Sequence, residues 1–203
     1  MAASRLTLPK VELAAAPIEG RRNMFMTQAD TEAVLALLHE VKPKRIVEFG
    51  INYGHTAREI LTRVPGIEEY IGIDICPGAK LPHRFQWPEI PLCPGREVKN
   101  DRRVKVIVRP KGSRDVTAAE IGEVDAAIID GDHSYDCVVH DTGLVRRCIR
   151  PGGIIIWHDY YEETNTDVPA ALHDFAAAGR RILRASGTGV AFERCVLGLA
   201  CAV

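Results

Sequence analysis

The chain has 203 residues, enough for one domain with a substantial buried core, and its 26 basic and 27 acidic residues leave a net charge of −1. That balance excludes a global field for recruiting nucleic acid or an anionic membrane, so a small-molecule partner is expected. Six scattered cysteines without a Cys-x-x-Cys pair suit reduced thiols, and neither a signal-peptide pattern nor an apolar run near the roughly 20 residues of a membrane helix is visible, so a cytoplasmic location is expected.

Residues 1 to 26 show little periodicity and read as an N-terminal arm or lid. A single domain is expected over 27 to 203. Thr27 opens a Thr-x-x-Asp pattern, and Ala29, Ala33, Val34, Leu37, Leu38 and Val41 recur at helical spacing until Pro43 stops them. Arg45 to Phe49 is a short β-branched run, Gly50 and Gly54 punctuate a turn, and Thr56 to Val64 regains helical spacing. With Tyr70 to Ile75 as the next strand, this is a βαβ unit whose right-handed crossover makes the strands parallel.

Residues 76 to 103 form an irregular insertion with Pro77, Pro82, Pro88, Pro91 and Pro94, long enough to suit a binding or lid role or the cover of an edge. A third strand is expected at Val104 to Val108, followed by a loop from Arg109 to Asp115 and a short helix. Val124 to Asp130 is nearly continuous in apolar residues, as a buried parallel strand requires, and ends on charge. Ser134 can cap the next helix, whose apolar stripe Asp141 interrupts as a structural carboxylate paired with a nearby donor. Pro151-Gly152-Gly153 turns into a fifth strand, Ile154 to Trp157, ending on His158 and Asp159. After a helix near 168 to 178, two strands joined by Ser-Gly-Thr form an antiparallel hairpin at one edge of the sheet.

Alternating strands and helices imply a single-domain, Rossmann-like, doubly wound α/β fold. The sheet is expected to be seven-stranded and mostly parallel, with an antiparallel C-terminal hairpin. Ligands of such sheets bind outside the carboxyl ends of the strands, and the informative polar residues collect there: Glu48 and the glycine loop, Asp74, Gly112 to Asp115, Asp130, and His158-Asp159. Asp74 lies 20 residues beyond Gly54, where a strand-end carboxylate can accept both hydrogen bonds of a ribose diol. Counted from Gly50, the second and third glycines of a dinucleotide fingerprint are replaced by Asn52 and His55, which disfavours a pyrophosphate ligand.

Glu48-Phe49-Gly50-x-x-x-Gly54, Gly72-Ile73-Asp74, Asp130-Gly131-Asp132-His133-Ser134-Tyr135 and Pro151-Gly152-Gly153 through His158-Asp159 together resemble class I S-adenosylmethionine-dependent methyltransferases. Within them the chain is most similar to a small bacterial group related to catechol and macrocin-type O-methyltransferases. The resemblance implies that Glu48, Gly50, Asn52 and Gly54 surround the methionine end of the cofactor, Asp74 the ribose, and Ser113 and Arg114 the adenine edge. Asp130 would face the sulfonium and the acceptor.

Catechol-type relatives hold a divalent metal at positions matching Asp130, Asp159 and Tyr160. Tyr160 is a poor magnesium ligand, so Asp132 or His158 would have to complete the set. Without metal, His133 or His158 is the natural general base. The resemblance implies methyl transfer to a hydroxyl of a small molecule or sugar, in a pocket lined by Arg21 to Met26, the proline-rich insertion and Tyr160-Tyr161. A hydrolase or hydroxylase-like relative of the same fold and a cofactor-binding protein without turnover are the alternatives. An exposed sheet edge also allows a homodimer.

Overall fold

The computed structural model describes residues 7–14, 26–79, 90–161 and 166–195. Among them, eight strands build one sheet: β1 (Lys10–Val11), β2 (Arg45–Phe49), β3 (Glu69–Ile75), β4 (Val104–Arg109), β5 (Val124–Ile129), β6 (Ile149–Trp157), β7 (Ile182–Ala185) and β8 (Ala191–Arg194). Their order across the sheet is β1-β7-β8-β6-β5-β2-β3-β4. β8 is antiparallel to both neighbours and every other pairing is parallel, so the doubly wound α/β expectation is borne out. The C-terminal hairpin is present but does not close the sheet. Its outer strand β7 is flanked by β1, with Arg184 N bonded to Pro9 O and Ser186 N to Val11 O, both at 2.9 Å. A two-residue strand has no period to read, which is why the arm looked patternless.

Among the described residues five helices cover the sheet: α1 (Gln28–Val41), α2 (His55–Arg63), α3 (Ala118–Ile121), α4 (Tyr135–Arg146) and α5 (Val168–Ala177). Because successive strand residues point to opposite faces, each central strand feeds two cores. Ile46, Tyr70, Ala126, Ile128 and Ile156 pack with Val34 and Leu38 of α1 and Ile60 of α2. Val47, Phe49, Ile71, Ala127 and Trp157 pack with Val138 and Leu144 of α4 and Leu172 of α5. Among the described residues no helix is long and apolar enough to cross a membrane.

Local chemistry sets the ends of these elements. Thr27 caps α1, its hydroxyl accepting from Asp30 N at 3.1 Å, and Lys42 ends it with φ +52 just before Pro43. Asp125 on β5 accepts from Lys44 N and Arg45 N at 2.6 and 2.8 Å, fixing where β2 enters the sheet. The order reverses at β2, which lies between β3 and β5, so a crevice opens above the carboxyl ends of these three strands.

Of the 76–103 insertion, the part from 90 onward braces the glycine loop. Gly95 N donates to Asn52 O at 2.7 Å, Glu97 N to Tyr53 O at 3.0 Å, and Arg58 pairs with Glu97 at 2.9 Å. Phe85 and Trp87, the insertion's aromatic residues, lie outside the described residues, as does the arm segment Arg21 to Phe25.

Candidate active site

The loop after β2 is shaped by glycine and by close backbone approach. Gly50 has φ +86, and a Cβ there would overlap the Asp130 carbonyl oxygen and stand 2.6 Å from Gly131 Cα. No other residue fits. Gly54 has φ +88 at the N-cap of α2, and Asn52 is held at φ +48, a conformation non-glycine residues rarely adopt. Asp74 ties the loop to β3: its two oxygens accept from Asn52 N and Ile75 N, each at 2.7 Å. Burial pushes the Asp74 carboxyl up and these two bonds pull it down. Each oxygen keeps a lone pair for a ligand diol.

Glu48, expected at the methionine end, is 1% exposed and accepts from Tyr70 OH at 2.9 Å. Burial drives its carboxyl well above the ordinary range, and the neighbouring Asp130 and Asp74 add to the rise. Buried and bonded to Tyr70, Glu48 stands behind the wall of the loop. Ser113 and Arg114 lie in a 3-10 turn, Gly112–Asp115, stacked over the end of β3.

The ends of β5 and β6 bring Asp130, His133, His158 and Asp159 together. His133 Nε2 is 2.8 Å from Asp159 Oδ2 and 3.7 Å from Asp130 Oδ1, while His158 Nδ1 is 3.0 Å from Asp130 Oδ1 and 3.2 Å from Asp159 Oδ2. Asp159 adopts φ +58, the kind of backbone strain that accumulates at functional sites. Burial opposes charge on His133, but the nearby Asp130 and Asp159 carboxylates prevail and hold it at about 10. The same two carboxylates, with Asp30, hold His158 far above its ordinary range against an equally large burial penalty.

Asp30 is the residue that sequence reasoning missed. It was read as part of a helix cap, yet it is fully buried and accepts from Thr27 Oγ1 at 2.7 Å, Tyr161 OH at 2.7 Å and Gly189 N at 2.8 Å, with His158 Nε2 at 3.3 Å. Burial raises its carboxyl, but bonds from His158, Thr27, Tyr161 and Gly189 leave it well below the usual range. His158 therefore has a carboxylate against each ring nitrogen and only 4% exposure. An imidazolium so held has no lone pair to offer, which argues against the base role expected of it. Tyr160 also departs from expectation: it is fully buried and bonded to His173 Nε2 at 2.8 Å, so it lines no acceptor pocket.

The metal-ligand set differs from the expected one. His133 groups with Asp130 and Asp159, with one ligand atom from each of the three lying within 4.8 Å of the others, whereas Asp132 does not and His158, though its Nδ1 approaches both carboxylates, is enclosed between them and Asp30. Asp132 instead accepts from Ser134 N at 2.9 Å, beginning the turn into α4, while the Ser134 hydroxyl makes no capping bond. His133 Nε2 is buried and, despite its 2.8 Å approach to Asp159, makes no hydrogen bond of normal geometry. Neighbouring donors on an ion with bonds of about 2.1 Å stand roughly 3 Å apart, so this donor set fits a divalent cation.

Comparison with known proteins decides the family. A family model described as "Methyltransferase domain" matches residues 47–160, more than half of the chain. The chain belongs to the methyltransferase-domain family. The matched span runs from β2 to the end of β6 and so contains the glycine loop, Asp74 and the Asp130–Asp159 cluster. This methyltransferase also resembles solved structures at low identity. The SAH-bound Podospora anserina methyltransferase PaMTH1 is 17% identical, with 82% of this chain and 77% of that chain covered at a TM-score of 0.57. Cofactor-bound Rv0187 from MTB is 17% identical, with 86% and 83% covered at 0.59. The O-methyltransferase TomG from Streptomyces achromogenes, involved in tomaymycin synthesis and solved with SAM, is 14% identical, with 84% and 81% covered at 0.55. These likenesses confirm the class I methyltransferase fold. No curated protein matches the sequence.

Proposed function

We propose that this methyltransferase moves the methyl group of S-adenosylmethionine to a hydroxyl oxygen of a small molecule or sugar. One observation carries the reading: the glycine loop, with Asp74 bonded to it, packs directly on the backbone of Asp130, so a donor wall and an acceptor carboxylate share one crevice. The SAH-, cofactor- and SAM-bound relatives support the donor, and TomG supports oxygen as the acceptor atom.

In the reaction a lone pair of the acceptor oxygen forms the new bond to the methyl carbon. The carbon–sulfur bond breaks, and its electron pair returns to sulfur, giving the neutral thioether. Asp74 holds the ribose; Gly50, Asn52 and Gly54 shape the methionine side; Asp130 carries negative charge toward the sulfonium. Most of the acceleration comes from holding oxygen, carbon and sulfur in line. The acceptor proton goes to a carboxylate of the Asp130, His133 and Asp159 cluster, because His133, held at about 10, already carries its proton at neutral pH. A divalent cation held by these three residues would activate the same hydroxyl as a Lewis acid. His158, fixed by Asp30, orients Asp130 and Asp159.

Calorimetry with S-adenosylmethionine and S-adenosylhomocysteine tests the reading. Binding of both is expected, and binding of neither would sink it. Turnover of hydroxyl acceptors then separates an O-methyltransferase from a protein that only binds the cofactor. Loss of that turnover on chelation, restored by manganese, supports a cation held by Asp130, His133 and Asp159; turnover that survives chelation leaves a carboxylate of the cluster as the proton acceptor.

A further inference from the structure

Helix α4 carries a polar face that the reaction does not use. Cys137, His140 and Asp141 stand at i, i+3 and i+4 and so share one side of the helix. All three meet the turn Gly112–Asp115. Arg114 Nη2 reaches Cys137 Sγ at 3.6 Å, His140 Nε2 lies 3.4 Å from Ser113 O, and the Ser113 side chain neighbours the Asp141 carboxyl and favours its ionised form. Asp141 is 3% exposed, and its Oδ1 has no hydrogen-bond partner.

A buried carboxyl with one oxygen unsatisfied is a costly way to pack a helix, since an apolar side chain of similar size removes that cost. The rest of α4 is packed conventionally: Val138, Leu144 and Val145 enter the core, and Thr142 accepts from Trp157 Nε1 at 2.9 Å. The polar face is therefore not needed to seat the helix. What it does seat is the turn. On its other side the turn rests on β3, where a Cβ at Gly112 would stand 3.7 Å from Ile75 Cβ, next to Asp74. The clasp from α4 thus fixes Ser113 and Arg114 relative to the carboxylate read as the ribose contact.

We infer that Asp141, assisted by His140, is a positioning residue for cofactor binding: it holds the 112–115 turn where the adenine edge is read, without touching the cofactor. The inference rests on the S-adenosylmethionine reading for the identity of the ligand. It does not rest on that reading for the hold on the turn itself. Burial pushes the Asp141 carboxyl up to about 7 while Ser113 pulls it down, so a neutral group of the same shape can make the same contact.

The experiment compares wild type with Asp141→Ala, Asp141→Asn and His140→Ala, using S-adenosylhomocysteine calorimetry and amide hydrogen exchange. Asp141→Ala is expected to weaken S-adenosylhomocysteine by about tenfold or more, the scale of one lost buried hydrogen bond. It should also speed exchange over residues 112–115 while the central strands β5 and β6 keep their protection. Asp141→Asn should bind within about threefold of wild type, because the contact survives without the charge. His140→Ala, which leaves no buried charge behind, should give a smaller loss in the same direction and serves if Asp141→Ala does not fold. Wild-type affinity with unchanged exchange in Asp141→Ala or, should that variant not fold, in His140→Ala overturns the inference, as does Asp141→Asn behaving like Asp141→Ala. If wild type binds no cofactor, the reading of function falls, and a turn that exchanges no faster in the variants overturns the clasp separately.

Discussion

The two halves of the crevice are built from different materials. On the β2–β3 side the wall is backbone: Gly50 and Gly54 at positive φ, Asn52 in the left-handed region, and Asp74 spending both oxygens on main-chain amides. On the β5–β6 side it is buried charge: Asp130, His133, His158 and Asp159, with Asp30 behind them. A backbone wall suits a ligand whose shape and diol must be matched. A charged wall, whose two histidines are held above their ordinary range by the carboxylates beside them, suits the end where charge moves.

The contrast can be broken at its hardest point first. Gly50→Ala adds a Cβ where the Asp130 carbonyl already stands and forces a non-glycine φ, so a loss on the order of 5 kcal/mol is expected in urea unfolding. Near-wild-type stability would mean that the two walls are not in contact. Asp30→Ala removes one partner of a buried charge network and should cost about 3 to 5 kcal/mol at pH 7, with S-adenosylhomocysteine affinity kept if the halves are independent. Asp30 is held below its unfolded value of 3.8, so its contribution is present above that value and is lost as pH falls into the acid range. The gap between variant and wild type should therefore close in acid.

Asp141 has the opposite sign. Its folded value of about 7 stands above 3.8, so the folded state binds the extra proton and stability is lost as pH rises between the two. Asp141→Asn should then be the more stable protein at pH 8 by on the order of 2 to 4 kcal/mol and show little difference at pH 4, as read from thermal unfolding. The smallest effect is expected at Asp74. Asp74→Ala should weaken cofactor binding by about ten- to a hundredfold in calorimetry, the range of one or two lost hydrogen bonds to a charged group, and unchanged binding would displace the ribose contact from this residue.

The same contrast explains what could be read in advance. Arg45 to Phe49, the glycines after it and Asp74 lie within one βαβ unit, so their proximity follows from spacing along a short stretch, and Asp74 is bonded to the loop at Asn52 N. Asp130 and Asp159 were legible because they end apolar runs. Asp30 was not, because the Thr-x-x-Asp spacing that makes it look like a cap is also present: Thr27 does cap α1, and the carboxylate turns instead to His158, 128 residues away. His140 gave no signal, and Asp141, expected as a structural carboxylate paired with a nearby donor, gave no sign of which residue it meets, since the turn is 25 or more residues earlier in the chain.

The sequence by itself determined the order of strands and helices from α1 onward and the chemical types gathered at the strand ends, but not β1, which makes the expected seven strands eight, because periodicity, glycine turns and terminal charges are local properties of a chain and a two-residue strand has none of them. Only the tertiary structure decided which nitrogen faces which carboxylate. It made His133 the third member of the Asp130–Asp159 cluster, turned His158 toward Asp30, and buried Tyr160 on His173. Those choices depend on where α1, α4 and the β7–β8 turn come to rest against the sheet, and that is set by the packing of two cores instead of by any spacing along the chain.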